Sequence, residues 1–110
     1  MLDGLPNLER VIIGDNSFLQ SNLADFSNAF SISNCTNLKE LRIGNNSFVD
    51  FTSFDISNLQ SMENVSIGSN SLVNARTVFA RGLSKLKEMS IGEESLMSIE
   101  EYNSLYWNNF

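Results

Sequence analysis

Leu38-Lys39-Glu40-Leu41-Arg42-Ile43-Gly44-Asn45-Asn46-Ser47-Phe48 decides the fold of this chain, because its pattern of residue types returns three more times. Leu8 to Phe18 carries it as Leu8, Val11, Ile13, Gly14, Asn16, Ser17 and Phe18, and Met62 to Leu72 as Met62, Val65, Ile67, Gly68, Asn70, Ser71 and Leu72. A fourth copy runs from Leu86 to Leu96. A period of 20 to 50 residues marks a solenoid or propeller, in which each unit buries its apolar side only against its neighbours. The repeat glycines Gly44, Gly68 and Gly92 are 24 residues apart, whereas Gly14 and Gly44 are separated by 30. The six extra residues are expected in the outer half of the first turn, where a loop can bulge into water.

The four copies resemble leucine-rich repeats, whose pattern is L-x-x-L-x-L-x-x-N/C-x-L. Leu38, Leu41, Ile43, Asn46 and Phe48 follow that pattern, and so do their counterparts in the first and third copies. In the last copy Glu94 stands where the asparagine should be. The I-G-x-N-S-F flavour of the motif is similar to repeat-rich surface proteins of some bacteria and protists. The resemblance implies an α/β repeat solenoid: a right-handed superhelix with a short parallel β-sheet on its concave face and short helices or irregular turns on its convex face. Residues 1–110 then form one domain, with motifs starting near Leu8, Leu38, Met62 and Leu86.

Within each motif alternate residues of a short strand point inward, as Val11 and Ile13 do, and the intervening ones face out. Three helices are expected on the outer side. One starts at Asn22 with Asp25 in its first turn, one runs from an Asn74 cap to Gly82, and one follows the capping-box pattern Ser98-Ile99-Glu100-Glu101. Counted from Leu96, Tyr102, Trp107 and Phe110 fall in the slots of Val78, Leu83 and Leu86. Neither end carries the polar cap that a solenoid needs for solubility. That points to a fragment of a longer array, to ends that associate with another chain, or to a final helix that folds over the core as its own cap.

Asn16, Asn46 and Asn70 form a column where the backbone leaves the strand, and side-chain amides that both donate and accept could bond there as a ladder. Glu94 cannot donate, so the fourth corner is expected to be looser. Gly14, Gly44, Gly68 and Gly92 suggest either a backbone shape that other residues resist or a bare strip for a ligand. Cys35, the single cysteine, falls in the slot of Leu5, Leu59 and Leu83 and is expected in the core. A disulfide within the chain and a cysteine metal cluster are thereby excluded.

The formal charge of −6 argues against nucleic acid as a partner, since phosphate binding needs a basic surface. No apolar run reaches the length of a membrane span, and nothing near Met1 resembles a signal peptide. A soluble segment is compatible with the cytoplasm or a cell surface. With no histidine, no glycine-rich phosphate loop and no acidic pair in a buried column, the chain is not expected to be an enzyme or to hold a metal or cofactor. The sequons at Asn34, Asn45 and Asn64 are no more than an Asn- and Ser-rich chain produces by chance.

The outward-facing strand residues are the candidate partner-binding positions: Arg10 and Ile12, Glu40 and Arg42, Asn64 and Ser66, Glu88 and Ser90. Beside them Glu9, Lys39, Glu63 and Lys87 alternate in sign from turn to turn, which reads as a structural charge ladder. By the resemblance, the expected function is a protein-binding scaffold using the concave face. The alternative is a surface-array or adhesion segment whose repeats serve stacking and end-to-end self-association.

Overall fold

A computed structural model describes residues 2–17, 29–75, 77–95 and 105–107. Among these residues the strands are β1 (Leu2–Asp3), β2 (Arg10–Ile13), β3 (Ala29–Ser33), β4 (Glu40–Ile43), β5 (Ser53–Ser57), β6 (Asn64–Ile67), β7 (Thr77–Arg81), β8 (Glu88–Ile91) and β9 (Leu105–Trp107). Successive strands alternate between two sheets, ordered β1-β3-β5-β7-β9 and β2-β4-β6-β8, and every pairing is parallel. Parallel neighbours need a crossover of a dozen or more residues, usually a helix. Here the crossover from β4 to β6 instead contains a strand, β5, in the opposite sheet.

This corrects the expectation of short helices or irregular turns on the outer side, since the described residues contain strands there and no helix. Between Asn74 and Gly82 the chain forms β7, because Thr77-Val78-Phe79-Ala80-Arg81 has a period of two: Val78 and Ala80 are buried and their neighbours are not. Branched and aromatic residues at that spacing suit a pleated surface. The residues that resembled helix caps do other work. Asn74 Nδ2 donates to Val49 O at 2.8 Å, bridging to the preceding turn, and Gly82 occupies a corner with φ +66°. The helix expected at Asn22 lies outside the described residues. So does the start of the one expected after Ser98, whose later part contains β9.

Register locates both irregularities of the repeat. Ser17 bonds Ser47, 30 residues on, while Ala29 pairs with Ser53, 24 on, so the six extra residues lie between 17 and 29. Ser71 bonds Ser95 at the regular interval, but Val78 pairs with Leu105, 27 on, so three extra residues lie between 95 and 105. Trp107 therefore stands beside Ala80, and not in the slot of Leu83 as an uninterrupted count would have it.

The core lies between the sheets. Phe30, Ile32, Phe54, Ile56, Val78 and Ala80 enter it from one side, and Leu41, Ile43, Val65 and Ile67 from the other. Cys35, Leu38, Leu59, Met62 and Leu83 close it where the chain passes between sheets, and Cys35 is fully buried as expected. Phe30 stacks on Phe54 with centroids 5.1 Å apart and meets the edge of Phe48 at 5.0 Å. Val11, Ile13, Met89 and Ile91, in the outer turns, are only partly buried. Each unit in a stack of this kind completes its burial against two neighbours.

Among the described residues the chain passes from sheet to sheet at two tight corners per repeat. Asn16, Asn46, Asn70 and Glu94 form one corner column with φ between 55° and 61°, followed two residues on by Phe48 and Leu72 at φ 54°, and Gly4, Asn34, Asn58 and Gly82 form the column of the other corner with φ between 54° and 66°. Asparagine tolerates this left-handed region better than most side chains. Asn16, Asn46 and Asn70 are exposed, and their side chains do not build the expected ladder. Serine builds it instead. Ser17 N, Ser47 N and Ser71 N donate to Oγ of Ser47, Ser71 and Ser95 at 3.0–3.2 Å, and those hydroxyls donate back to Gly14 O, Gly44 O and Gly68 O. Asparagine ladders the opposite corner, where Asn58 Nδ2 donates to Asn34 Oδ1 at 3.2 Å and Asn34 Nδ2 to Asp3 Oδ1 at 2.9 Å. Glu94 adopts the same backbone as its column despite its charge, so conformation rather than amide bonding selects the column.

The glycine column also has a different cause. None of Gly14, Gly44, Gly68 and Gly92 has a positive φ, but a Cβ on Gly44, Gly68 or Gly92 would lie 2.5–2.7 Å from atoms of the preceding turn. At Gly44, Gly68 and Gly92 the space a side chain or ligand would need is filled by the preceding turn, mostly its backbone, whereas Gly14 has nothing within 4 Å.

Candidate functional site

Register places all eight candidate residues on one surface. Arg10, Glu40, Asn64 and Glu88 form one column across the four-stranded sheet, and Ile12, Arg42, Ser66 and Ser90 a second, two residues further along each strand. The alternation of strand residues turns them away from the core, and each is exposed or half-buried. Ile12 is 57% exposed; Leu5 is the other large apolar residue so exposed among the described ones.

Glu40 is the most enclosed charge of this face. Its Oε1 lies 3.1 Å from Arg10 Nη2 and its Oε2 lies 3.4 Å from Arg42 Nη2; its side chain is 19% exposed, against 66% and 58% for the two arginines. The arginines therefore hold Glu40 with part of their guanidinium donors and keep the remainder in water, where a fork-shaped set of N–H groups can meet a carboxylate. Exposed pairs of this kind contribute about 0–1 kcal/mol to stability. At the far side of the sheet the second column is neutral and small, with Ser90 Oγ donating to Ser66 Oγ at 3.4 Å, while the first ends on the exposed Glu88.

The alternating column lies along the rim where the strands begin. Lys39 N, Glu63 N and Lys87 N donate to the carbonyls of Glu9, Lys39 and Glu63, which fixes the four residues in register. The side chains of Glu9, Lys39 and Glu63, with those of Arg10, Glu40 and Asn64, edge a shallow groove. One ion pair forms within the rim, Lys87 Nζ to Glu63 Oε2 at 3.7 Å. The rim was legible in the sequence only as a structural ladder, yet its position makes it part of the same surface.

The opposite sheet turns out Ser31, Ser33, Ser53, Asp55, Ser57, Thr77, Phe79 and Arg81, with the Arg81 guanidinium 4.2 Å from the Phe79 ring centroid. Asp55 Oδ1 is buried there without a hydrogen-bond partner. Among the described residues no group of three His, Cys, Asp or Glu side chains is placed to hold a metal ion, and no helix is long and apolar enough to cross a membrane. Compared with known proteins, the chain matches no family model, no curated protein and no solved structure.

Proposed function

We propose that the chain is a leucine-rich-repeat solenoid, wound as a right-handed superhelix, which serves as a protein-binding scaffold through the outward, concave face of its four-stranded sheet. The observation that carries this reading is the alignment of Arg10, Ile12, Glu40, Arg42, Asn64, Ser66, Glu88 and Ser90 in two unbroken columns, with an exposed isoleucine and two half-free guanidinium groups among them. Arginine and large apolar side chains on a rigid surface are the usual anchors of protein interfaces. Catalysis, a cofactor and a metal have no part in the proposal.

The test is capture of a partner by the chain and by a variant carrying both Glu40→Arg and Arg42→Glu. Capture is expected to be lost while the thermal unfolding midpoint stays within a few degrees. Capture unaffected by the reversal would refute the assignment of this face.

A second reading, stacking and end-to-end self-association, draws on one observation. Leu5 is 40% exposed, whereas Cys35, Leu59 and Leu83 in the same column are fully buried. Concentration-dependent association that disappears in Leu5→Asp would favour it.

A further inference from the structure

The binding face is complementary in charge to itself, and we propose that it pairs face to face with a second copy of this chain, an inference that rests on reading this face as the interaction surface. The chain has 7 basic and 13 acidic residues. Four of each stand on this face and its rim: Arg10, Lys39, Arg42 and Lys87 against Glu9, Glu40, Glu63 and Glu88. The face is thus neutral, while the rest of the chain keeps three basic and nine acidic residues and the whole net charge of −6. Two copies repel each other over most orientations and can approach through this surface.

The order of the charges selects one arrangement. A two-fold axis parallel to the strands lays β2 over β8 of the second copy and β4 over β6, keeping positions along the strands unchanged. Glu9 then meets Lys87 of the second copy, Lys39 meets Glu63, and Arg10 meets Glu88, each pair occurring twice by symmetry. Glu40 faces Asn64, Arg42 faces Ser66 and Ile12 faces Ser90, so no like charges are opposed. The other two-fold that brings the faces together, running across the strands, matches only Glu40 with Arg42. Among the described residues Glu9, Lys39 and Glu88 form no ion pair within the chain, and each gains an oppositely charged partner in the first arrangement.

Four strands about 4.8 Å apart and four residues long, with one rim residue before each, cover roughly 19 by 15 Å, well under the ~800 Å² per partner of a standard interface. The pairing is therefore weak, reversible and sensitive to salt, because complementary rim charges at a small interface act mainly through steering and register.

Sedimentation equilibrium of the 110-residue chain, up to about 1 mM protein and at about 20 mM and 500 mM salt, tests this. A dimer is expected at low salt, with association at least about tenfold weaker at high salt. Lys39→Glu with Lys87→Glu makes the rim wholly acidic, and Glu9→Lys with Glu63→Lys makes it wholly basic. Each variant alone is expected to be monomeric, and an equimolar mixture to form a heterodimer. Glu88→Arg, a single exposed change that opposes Arg10, gives an independent loss, and circular dichroism checks that each variant is folded.

A wild-type chain that is monomeric at every concentration and salt would overturn the self-pairing. It would leave the face open to a different protein, whose own test is the Glu40 and Arg42 reversal. A dimer that persists in both rim variants but is lost in Leu5→Asp would also overturn it and assign association to the strand edge.

Discussion

Adding one methyl group to each repeat glycine separates two explanations of the column that the sequence leaves indistinguishable. If the glycines were needed for conformational freedom, Gly14→Ala, Gly44→Ala, Gly68→Ala and Gly92→Ala would all cost a similar amount. The structure gives a different reason. The new Cβ would lie 2.5 Å from Asp15 Oδ1 and 2.6 Å from Asp15 N at Gly44, 2.7 Å from Gly44 C at Gly68, and 2.6 Å from Gly68 C and Ser69 N at Gly92. Ordinary contact begins near 3.4 Å, so adjacent turns would have to part by about 0.7–0.9 Å at that corner. Most of the obstructing atoms are backbone, which cannot rotate aside as a side chain can. Overpacking of this kind costs about 1–3 kcal/mol, a large fraction of the roughly 5–15 kcal/mol that holds a domain together. At Gly14 nothing lies within 4 Å and φ is ordinary, so alanine there is expected to be neutral, or stabilising by about 0.4–1 kcal/mol through a less flexible unfolded chain. Urea unfolding followed by circular dichroism, with unchanged slopes, measures all four on one scale. Gly14→Ala as damaging as Gly68→Ala would refute the packing argument.

The serine ladder gives a second prediction. Ser47→Ala strands Ser17 N and Gly14 O at a partly buried corner and should cost about 1 kcal/mol, whereas Asn46→Gly, at an exposed left-handed position, should cost only a few tenths. Reversal of that order in urea unfolding would restore the asparagine as the bonding residue. Phe54→Ala removes a ring stacked on Phe30 in the fully buried core and should cost about 3–5 kcal/mol, read as loss of the cooperative thermal transition or a large drop in its midpoint. Glu94→Asn places at φ 61° a side chain suited to that region and should stabilise by about 0.5–1 kcal/mol; a lower thermal midpoint would contradict it.

How far the chain could be read in advance depended on which signal each residue carries. Alternation in Leu41 and Ile43, or in Val65 and Ile67, has one interpretation, and these residues lie where the repeat places them. The outer strands carry the same alternation in Phe54 and Ile56 and in Val78 and Ala80, but Asn74 and Gly82 also fit the ends of a short helix. A five-residue segment holds too few periods to separate the two, and only pairing with neighbours settles it.

The two corner columns show the same division. An Asn at each repeat marks a bend, but whether its amide bonds or its backbone matters depends on the direction of the side chain relative to the adjacent turn. That direction differs between Asn46 and Asn58: both are exposed, but the Asn58 amide bonds Asn34 in the adjacent turn.

What the sequence by itself determined is which residues are equivalent: a repeat of 24 carries its own alignment, so Arg10, Glu40, Asn64 and Glu88 had to share a column in any stacked arrangement. Only the tertiary structure decided what lies across each column. The second sheet in place of helices, the serine hydroxyls as the ladder and the backbone that excludes a Cβ at Gly68 all depend on distances between turns. A single turn's sequence holds no information about those distances until its neighbours are packed against it.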